Sequence, residues 1–325
     1  MMINLIQNID LTILKQSPDV IVRCMMEREL LNIQGNGQVK HRLEGSRHVH
    51  SLASEQHDDG SWGRFHSQDS RRKQKFPTTE FAVQRAVHLG LDHTHPILAK
   101  AAGYIERVLD QRLPFPDPPE TNDRWETGKR LFLASTLSLI LPDHPLVTRE
   151  RTLWLAIAER AFQSGEYRLE DEIAAHAELT GASIRHSYLT LSGKYQLILI
   201  GTHHRKLPFS FEKSLVAWVW DLPEGIGYYT QPLNVPPDIR PEAVDRWLSS
   251  IALILQRFPA GARHAQPAIQ WLLDQQTDEG CWDFGPCPRS SPFLPLSENW
   301  RNPNHRNFDW TTRVLCILAR YYGLN

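Results

Sequence analysis

The chain is poor in the features that mark several classes of function. Four cysteines, Cys24, Cys281, Cys287 and Cys316, stand among 325 residues at spacings that form no regular framework. That argues against a disulfide-built secreted fold and suits a reducing compartment. Neither sign of charge is in excess, since 36 Lys and Arg face 37 Asp and Glu for a formal charge of -1. A nucleic-acid or anionic-membrane partner normally leaves a basic patch. The one dense basic cluster, Arg71-Arg72-Lys73-Gln74-Lys75, is flanked by Ser70 and Pro77 and reads as a solvated loop. No nucleic-acid partner is expected.

Long hydrophobic runs are also missing. Spanning a bilayer takes ~18 apolar residues, and the longest candidate, Leu131 to Leu141, is interrupted by Ser135, Thr136 and Ser138. The first ten residues carry neither the basic region nor the continuous apolar run of a signal peptide. The expectation is a cytoplasmic protein with no transmembrane segment, peripheral membrane contact being left open. No Gly/Ser linker or break in composition divides the chain, so a single domain over 1–325 is expected.

What is present is helical periodicity, with no sustained period-2 alternation. Ser17-Pro18-Asp19 has the order of an N-cap, a proline at the first helical position and an acid in the first turn, which predicts a helix to about residue 33. Further helices are predicted at about 38–56, 78–91, 96–110, 124–141, 145–163, 169–180, 186–201, 208–220, 241–257, 264–276 and 309–322. Pro96, Pro145, Pro208, Pro241 and Pro267 fall at or near starts, and Gly90 falls at an end. Twelve helices joined by short connections are the number needed for six antiparallel pairs in two concentric rings; a superhelical array would pair them equally well.

A turn is repeated. Gln56-His57-Asp58-Asp59-Gly60-Ser61-Trp62 and Gln276-Thr277-Asp278-Glu279-Gly280-Cys281-Trp282 both read Gln-x-x-acid-Gly-x-Trp. Each follows one helical pattern and leads into another, opened by Thr78-Thr79-Glu80 in the first copy and Thr311-Thr312-Arg313 in the second. A degenerate third copy is Glu224-Gly225-Ile226-Gly227-Tyr228, with Trp247 in the following helix. Glycine permits the tight backbone, glutamine reaches free backbone groups at helix ends, and the acid can face a helix N-terminus. Tryptophan fills the space between helix pairs while its indole N–H finds a partner. Trp62 and Trp282 are therefore expected to be structural staples.

The repeat resembles the QW motif of squalene and hopene cyclases, preceded in the second copy by the apolar run Trp271-Leu272-Leu273. Thr78-Thr79-Glu80-Phe81-Ala82, Leu89-Gly90, Pro96-Ile97-Leu98-Ala99-Lys100-Ala101 and Tyr104-Ile105 are also similar to those cyclases. Protein prenyltransferase β-subunits are more distant relatives of the same superfamily. The specific likeness covers about 49–109 and 264–322. It implies an all-α fold, a single α/α-toroid or (α/α)6 barrel of about six antiparallel helix pairs. It also implies a terpenoid cyclase-like enzyme acting on an apolar, isoprenoid-like small molecule by proton-initiated cyclisation or related carbocation chemistry.

The motifs that carry this chemistry in the family are missing. The chain has no Asp-x-Asp-Asp, and Asp58-Asp59 lacks the third acid of Asp-Asp-x-x-Asp. The zinc-binding Asp-x-Cys of prenyltransferases is absent too, because Asp278 stands three residues before Cys281 and Asp283 follows it. Cys281, Cys287 and His305 do not have zinc spacing, and His48 and His50 point to different helix faces. No metal and no cofactor are expected.

The family's cyclases place an acid near the start of an inner helix. By position Asp309 and Asp245, beside Trp310 and Trp247, are the leading candidates, followed by Asp171 and Glu172. Helix capping or the helix dipole is the plainer explanation of these acids, and Glu80 has the same capping alternative. Lys194-Tyr195, with Arg185-His186-Ser187-Tyr188, can line the polar end of a cavity or hold an anionic head group. Two other readings stand beside the cyclase: a noncatalytic toroid binding a lipid or protein segment, and a carbohydrate-active hydrolase or lyase on an α/α-barrel with two acids and a tryptophan platform.

Overall fold

Strongly periodic sequence with proline at the starts folds, as expected, into helices. The computed structural model describes residues 15–31, 42–182, 189–286 and 295–323. Besides a helical stretch at 42–44, these residues include the α-helices α1 (Val20–Glu29), α2 (Arg47–Glu55), α3 (Thr79–His88), α4 (Pro96–Leu109), α5 (Trp125–Ser138), α6 (Pro145–Ala161), α7 (Leu169–Thr180), α8 (Lys194–Ile200), α9 (Phe209–Trp220), α10 (Pro241–Arg257), α11 (Gln266–Asp274) and α12 (Pro303–Tyr321). Two short 3-10 segments follow α8 and α10. Extended backbone pairs only at two isolated bridges among the described residues, so the all-α class holds.

Proline occupies the first helical turn of α4, α6, α10, α11 and α12, where its missing N–H costs nothing. Two helices are capped by imidazole: His95 Nδ1 accepts from the Ile97 N–H and His144 Nδ1 from the Leu146 N–H. Several predicted starts move; the helix expected over 38–56 is broken at Gly45 and Ser46, so that α2 begins at Arg47. The first helix begins at Val20, three residues after Ser17, because the Asp19 carboxylate is taken by the Glu298 N–H (2.9 Å) and by His305 (2.7 Å). The last begins at Pro303, where Asn302 accepts from the Asn304 N–H, so Asp309 lies two turns inside a helix and caps nothing. Of the predicted helix over 186–201, residues 186–188 are outside the described residues, and α8 begins at Lys194.

The chain divides into two compact units, a central one (Ser51–Val219, Ile226–Tyr228) and a terminal one (Met1–His50, Trp220–Gly225, Tyr229–Asn325). In the central unit α5 packs against α3, α4, α6 and α8 and is buried along most of its length. This explains why its sequence is the longest apolar run. The serines that interrupt the run bond back to their own helix, Ser135 to the Phe132 carbonyl and Ser138 to the Ser135 carbonyl. In the terminal unit α12 packs against α10 and α1.

Each unit contains one full copy of the repeated turn, built the same way. In the first copy the Gly60 N–H donates to the His57 carbonyl and the His57 N–H to the Ser61 carbonyl. Gln56 Nε2 donates to the Gly60 carbonyl (3.1 Å), and Trp62 Nε1 reaches back to the Leu52 carbonyl (2.9 Å). In the second copy Thr277, Gly280 and Cys281 repeat the backbone bonds, Gln276 Nε2 donates to the Gly280 carbonyl (2.9 Å), and Trp282 Nε1 donates to the Leu272 carbonyl (2.6 Å). Gly60 has φ +97°, and a Cβ there would lie 2.3 Å from the Lys100 carbonyl oxygen. Asp59 closes its own loop, accepting from the Ser61 N–H and hydroxyl, and Glu279 is exposed. The degenerate third turn keeps only the glycine bond, Gly225 N–H to the Leu222 carbonyl, while Trp247 donates its indole N–H to the Leu233 carbonyl from α10.

The two copies also fix their register by one threonine hydroxyl. The Trp62 N–H donates to Thr79 Oγ1 and the Trp282 N–H to Thr311 Oγ1, both at 3.0 Å. The equivalent of Thr311 is therefore Thr79 and not Thr78, and Glu80 corresponds to Thr312. Both tryptophans are fully buried. Replacing either Trp62 or Trp282 by alanine is expected to lower stability by ~3–5 kcal/mol. Thermal unfolding checks this, and melting within a degree or two of the parent would show that the clasp is dispensable.

Candidate functional site

One acid–base group in the central unit is assembled from six separate pieces of chain. Its foundation is Asp117, a buried carboxylate that accepts from the backbone N–H groups of Phe65 (2.6 Å), His66 (2.8 Å) and Ser67 (2.5 Å) and from the Ser67 hydroxyl. Three backbone donors on one carboxylate hold the 65–67 loop rigidly. The same loop is laced to the start of α3, the Thr79 N–H donating to the Arg64 carbonyl and the Glu80 N–H to the Phe65 carbonyl. These bonds set His66 beside Glu80, the second residue of α3.

His66 Nδ1 is 3.0 Å from Glu80 Oε2, and the Tyr195 hydroxyl donates to Glu80 Oε1 at 2.7 Å. The imidazole lies flat on Phe132 of α5, with ring centroids 3.8 Å apart and planes 6° apart. Its Nε2 faces the Tyr228 hydroxyl at 3.4 Å. Tyr195 meets Phe132 and Tyr228 edge to face, at 4.8 and 4.9 Å. Glu80 is 7% exposed and Tyr195 1%, whereas Tyr228 is 40% exposed, so the group is dry at its base and open at Tyr228. The Glu80–His66 contact is a hydrogen bond in either arrangement of the proton. With Glu80 ionised the Nδ1–H donates, and with Glu80 protonated Nδ1 accepts.

Lys194, the first residue of α8, completes the group. Its ammonium is 4.7 Å from the Tyr195 ring centroid and 5.4 Å from that of Tyr228, and it donates to Gln84 Oε1 at 3.4 Å. Burial around the amine pushes its pKa below the ordinary lysine value, while the Glu80 charge pulls the other way.

The four acids singled out by position lie elsewhere. In the terminal unit Asp309 and Asp245 share one guanidinium: Arg313 Nε is 3.1 Å from Asp309 Oδ1, and Arg313 donates to Asp245 Oδ1 at 3.0 Å. Asp309 Oδ2 also accepts from the Ser297 N–H (2.9 Å). Both acids are buried, with Arg313 stacked 5.5 Å from the Trp310 centroid. In the central unit Asp171 is part-exposed in the first turn of α7. Its neighbour Glu172 is fully buried, paired with Arg124 at 2.7 Å and accepting from the Tyr167 hydroxyl at 2.8 Å and the Leu191 N–H at 3.3 Å. The structure thus couples Asp309 to Asp245, and neither Asp171 nor Glu172 belongs to that pair.

Position alone missed His66, which the sequence places in a loop and in a run of histidines, and it left Glu80 as a cap. Thr78 is the cap, its hydroxyl accepting from the Phe81 N–H, which releases Glu80 for the site. The signal that was present is Lys194-Tyr195 as a polar end. Arg185-His186-Ser187-Tyr188 and Cys287 lie outside the described residues. Among the described residues no group of three or more His, Cys, Asp or Glu is placed to hold a metal ion, and no helix is long and apolar enough to cross a membrane. No family model, no curated protein and no solved structure matches the chain.

The buried Arg124–Glu172 pair and its neighbour His176 generate two expectations. Glu172→Ala leaves a buried guanidinium without its counter-charge and is expected to cost about 3–5 kcal/mol in urea unfolding. His176 is wholly buried, and burial first, then the Arg124 charge, push its pKa down to about 4. Between pH 6.5 and 4 the unfolded chain binds the proton that the folded chain refuses. Stability contributed by neutral His176 is therefore complete above pH 6.5 and falls as the pH drops, by about 3 kcal/mol in all. Urea unfolding of His176→Phe across pH 4–7 should show a shallower pH dependence than the parent; equal slopes would exclude His176 as the source.

Proposed function

We propose that the chain is a terpenoid cyclase-like enzyme whose acid is Glu80, acting on an apolar, isoprenoid-like substrate in the aromatic-walled site of the central unit. The fold we assign to it is the α/α-toroid of six antiparallel helix pairs. The series of helices α1–α12 and two copies of one Gln–Gly–Trp clasp, each leading from one helix into the next, support that assignment.

The observation that carries the functional reading is the Tyr195–Glu80–His66 triad among aromatic rings. A carboxylic acid protonating an alkene leaves a carboxylate. Here that carboxylate finds a tyrosine hydroxyl at one oxygen and an imidazole at the other. The carbocation formed on the substrate is stabilised by the π faces of the neighbouring rings, Tyr195 and Tyr228 foremost, and is shielded from water by the burial at the base of the site. When the cation collapses to an alkene, His66 or the Glu80 carboxylate takes the proton back, and the site is restored. Glu80 suits this role better than Asp309, Asp245 or Glu172, because each of those already serves a guanidinium.

Glu80→Gln keeps the shape and the Tyr195 contact but carries no acidic proton. With a C20 prenyl diphosphate and a C30 isoprenoid hydrocarbon as trial substrates, this variant is expected to melt like the parent, bind the same hydrocarbon and lose turnover by about a hundredfold or more. Mass spectrometry of extracted products reads the outcome. Full product formation by Glu80→Gln, or loss of it only in Asp309→Asn or Asp245→Asn, would move the acid elsewhere.

A further inference from the structure

The rings around the Glu80–His66 pair leave it nearly shut. The His66 side chain is 11% exposed and that of Glu80 9%, so a hydrocarbon chain reaches neither while those rings stay in place. One of them must move. Phe132 is wholly buried within α5, and Tyr195 is buried in α8 with its hydroxyl bonded to Glu80. Tyr228 differs on both counts. It lies outside the helices, it is the exposed ring of the group, and its hydroxyl stands 3.4 Å from His66 Nε2, a long contact for a hydrogen bond. Its backbone is also unusual, with φ +75° in the left-handed region that a bulky side chain seldom adopts. The residue before it is pinned, because the Gly227 N–H donates to the Ser192 carbonyl (2.9 Å) and a Cβ on Gly227 would lie 3.3 Å from the Gly193 Cα. A fixed base therefore carries a ring on a costly backbone, an arrangement that clusters at ligand clamps and switches.

We infer that Tyr228 is the movable cover of this site, closed over His66 Nε2 at rest and swung outward to admit an apolar chain to the Glu80–His66 pair. The cover rests on the reading of that pair as the reactive group and adds to it the side from which the pair is loaded. Turning the ring about its Cα–Cβ bond carries it toward the solvent that it already meets, while Gly227 holds the backbone where it is. Once the chain is inside, the returning ring lays its face along it and keeps water from the acid. The width of chain that passes is then set by Tyr228, which makes this residue a determinant of selectivity and not a donor or acceptor of the reacting proton.

Diethyl pyrocarbonate tests the cover, because it acylates a free imidazole nitrogen. With Nδ1 engaged by Glu80, the free one in His66 is Nε2, the atom that Tyr228 faces. The full chain is treated at pH 7 and mapped by mass spectrometry, exposed His93 serving as the reference in the same sample. His66 of the parent is expected to react about tenfold or more slowly than His93. Tyr228→Gly removes the ring and accepts the left-handed backbone; it is expected to speed His66 by about tenfold while melting within about two degrees of the parent or above it. Tyr228→Phe keeps the ring and is expected to leave His66 within about threefold of the parent rate. A parent His66 as fast as His93, or one that Tyr228→Gly does not speed, overturns the proposal. A large fall in melting temperature for Tyr228→Gly makes the ring a packing element and overturns it too. Motion is read separately by fluorine NMR with 3-fluorotyrosine at all eight tyrosines, signals being assigned by their loss in Tyr228→Phe and Tyr195→Phe. Tyr228 is expected to show microsecond-to-millisecond exchange and Tyr195 none; a Tyr228 signal as free of exchange as that of Tyr195 means a fixed ring and overturns the cover. No substrate enters these measurements, so their failure removes the cover alone, whereas full turnover by Glu80→Gln strikes the cyclase reading.

Discussion

A tryptophan indole N–H reaching back ten residues to a helix-end carbonyl is the bond on which the local architecture of both units depends. A carbonyl at a helix C-terminus has no partner within the helix, and leaving it buried and unpaired costs free energy. Trp62 binds the Leu52 carbonyl and Trp282 the Leu272 carbonyl, which also accepts from the Gln275 N–H, and each fills the space beside it with the same side chain. Their backbone N–H groups then bind a threonine hydroxyl on the following helix. One residue thus fixes where a helix stops, how the chain turns, and where the following helix lies in register. In the central unit that register brings Glu80 one residue beyond the clasping threonine.

The site beside this clasp shows a division of labour among carboxylates. Asp117 is fully occupied by backbone donors and serves as a fixed point for the His66 loop. Glu172 neutralises Arg124. Glu80 is different in kind, because its partners are a hydroxyl and an imidazole, groups that exchange protons instead of simply balancing charge. In the terminal unit the corresponding position is Thr312, and the nearby acids Asp309 and Asp245 are tied to Arg313. The two units share a clasp and differ in chemistry.

Most of the helical plan was legible in the sequence because its determinants are local. Apolar periodicity and proline at the first turn placed α4, α6, α7, α9 and α10 to within a residue or two. The start at Ser17 moved for a tertiary reason, Asp19 bonding residues of the distant C-terminal segment, whereas that at Asp309 moved for a local one, Asn302 capping a helix that the periodicity entered late. The catalytic candidates were the least legible. Glu80, His66 and Tyr195 come from a helix start, a loop and a second helix 115 residues away from Glu80. No spacing rule connects them, and the aspartates that looked promising beside tryptophans turned out to be held by an arginine whose position only packing reveals.

The two clasps also differ in the length of chain they close. From tryptophan to threonine the first spans 17 residues and the second 29. For a flexible loop the added entropy of closing the longer one is only about 0.5 kcal/mol. The same turn and register bond therefore hold with connecting segments of different length. Extra residues between Ser67 and Phe76 would bring new side chains near the Glu80–His66 group while leaving in place the bonds of the 64–67 loop to Asp117, Thr79 and Glu80. The fold in this way separates what must stay constant for stability from what can change to alter selectivity.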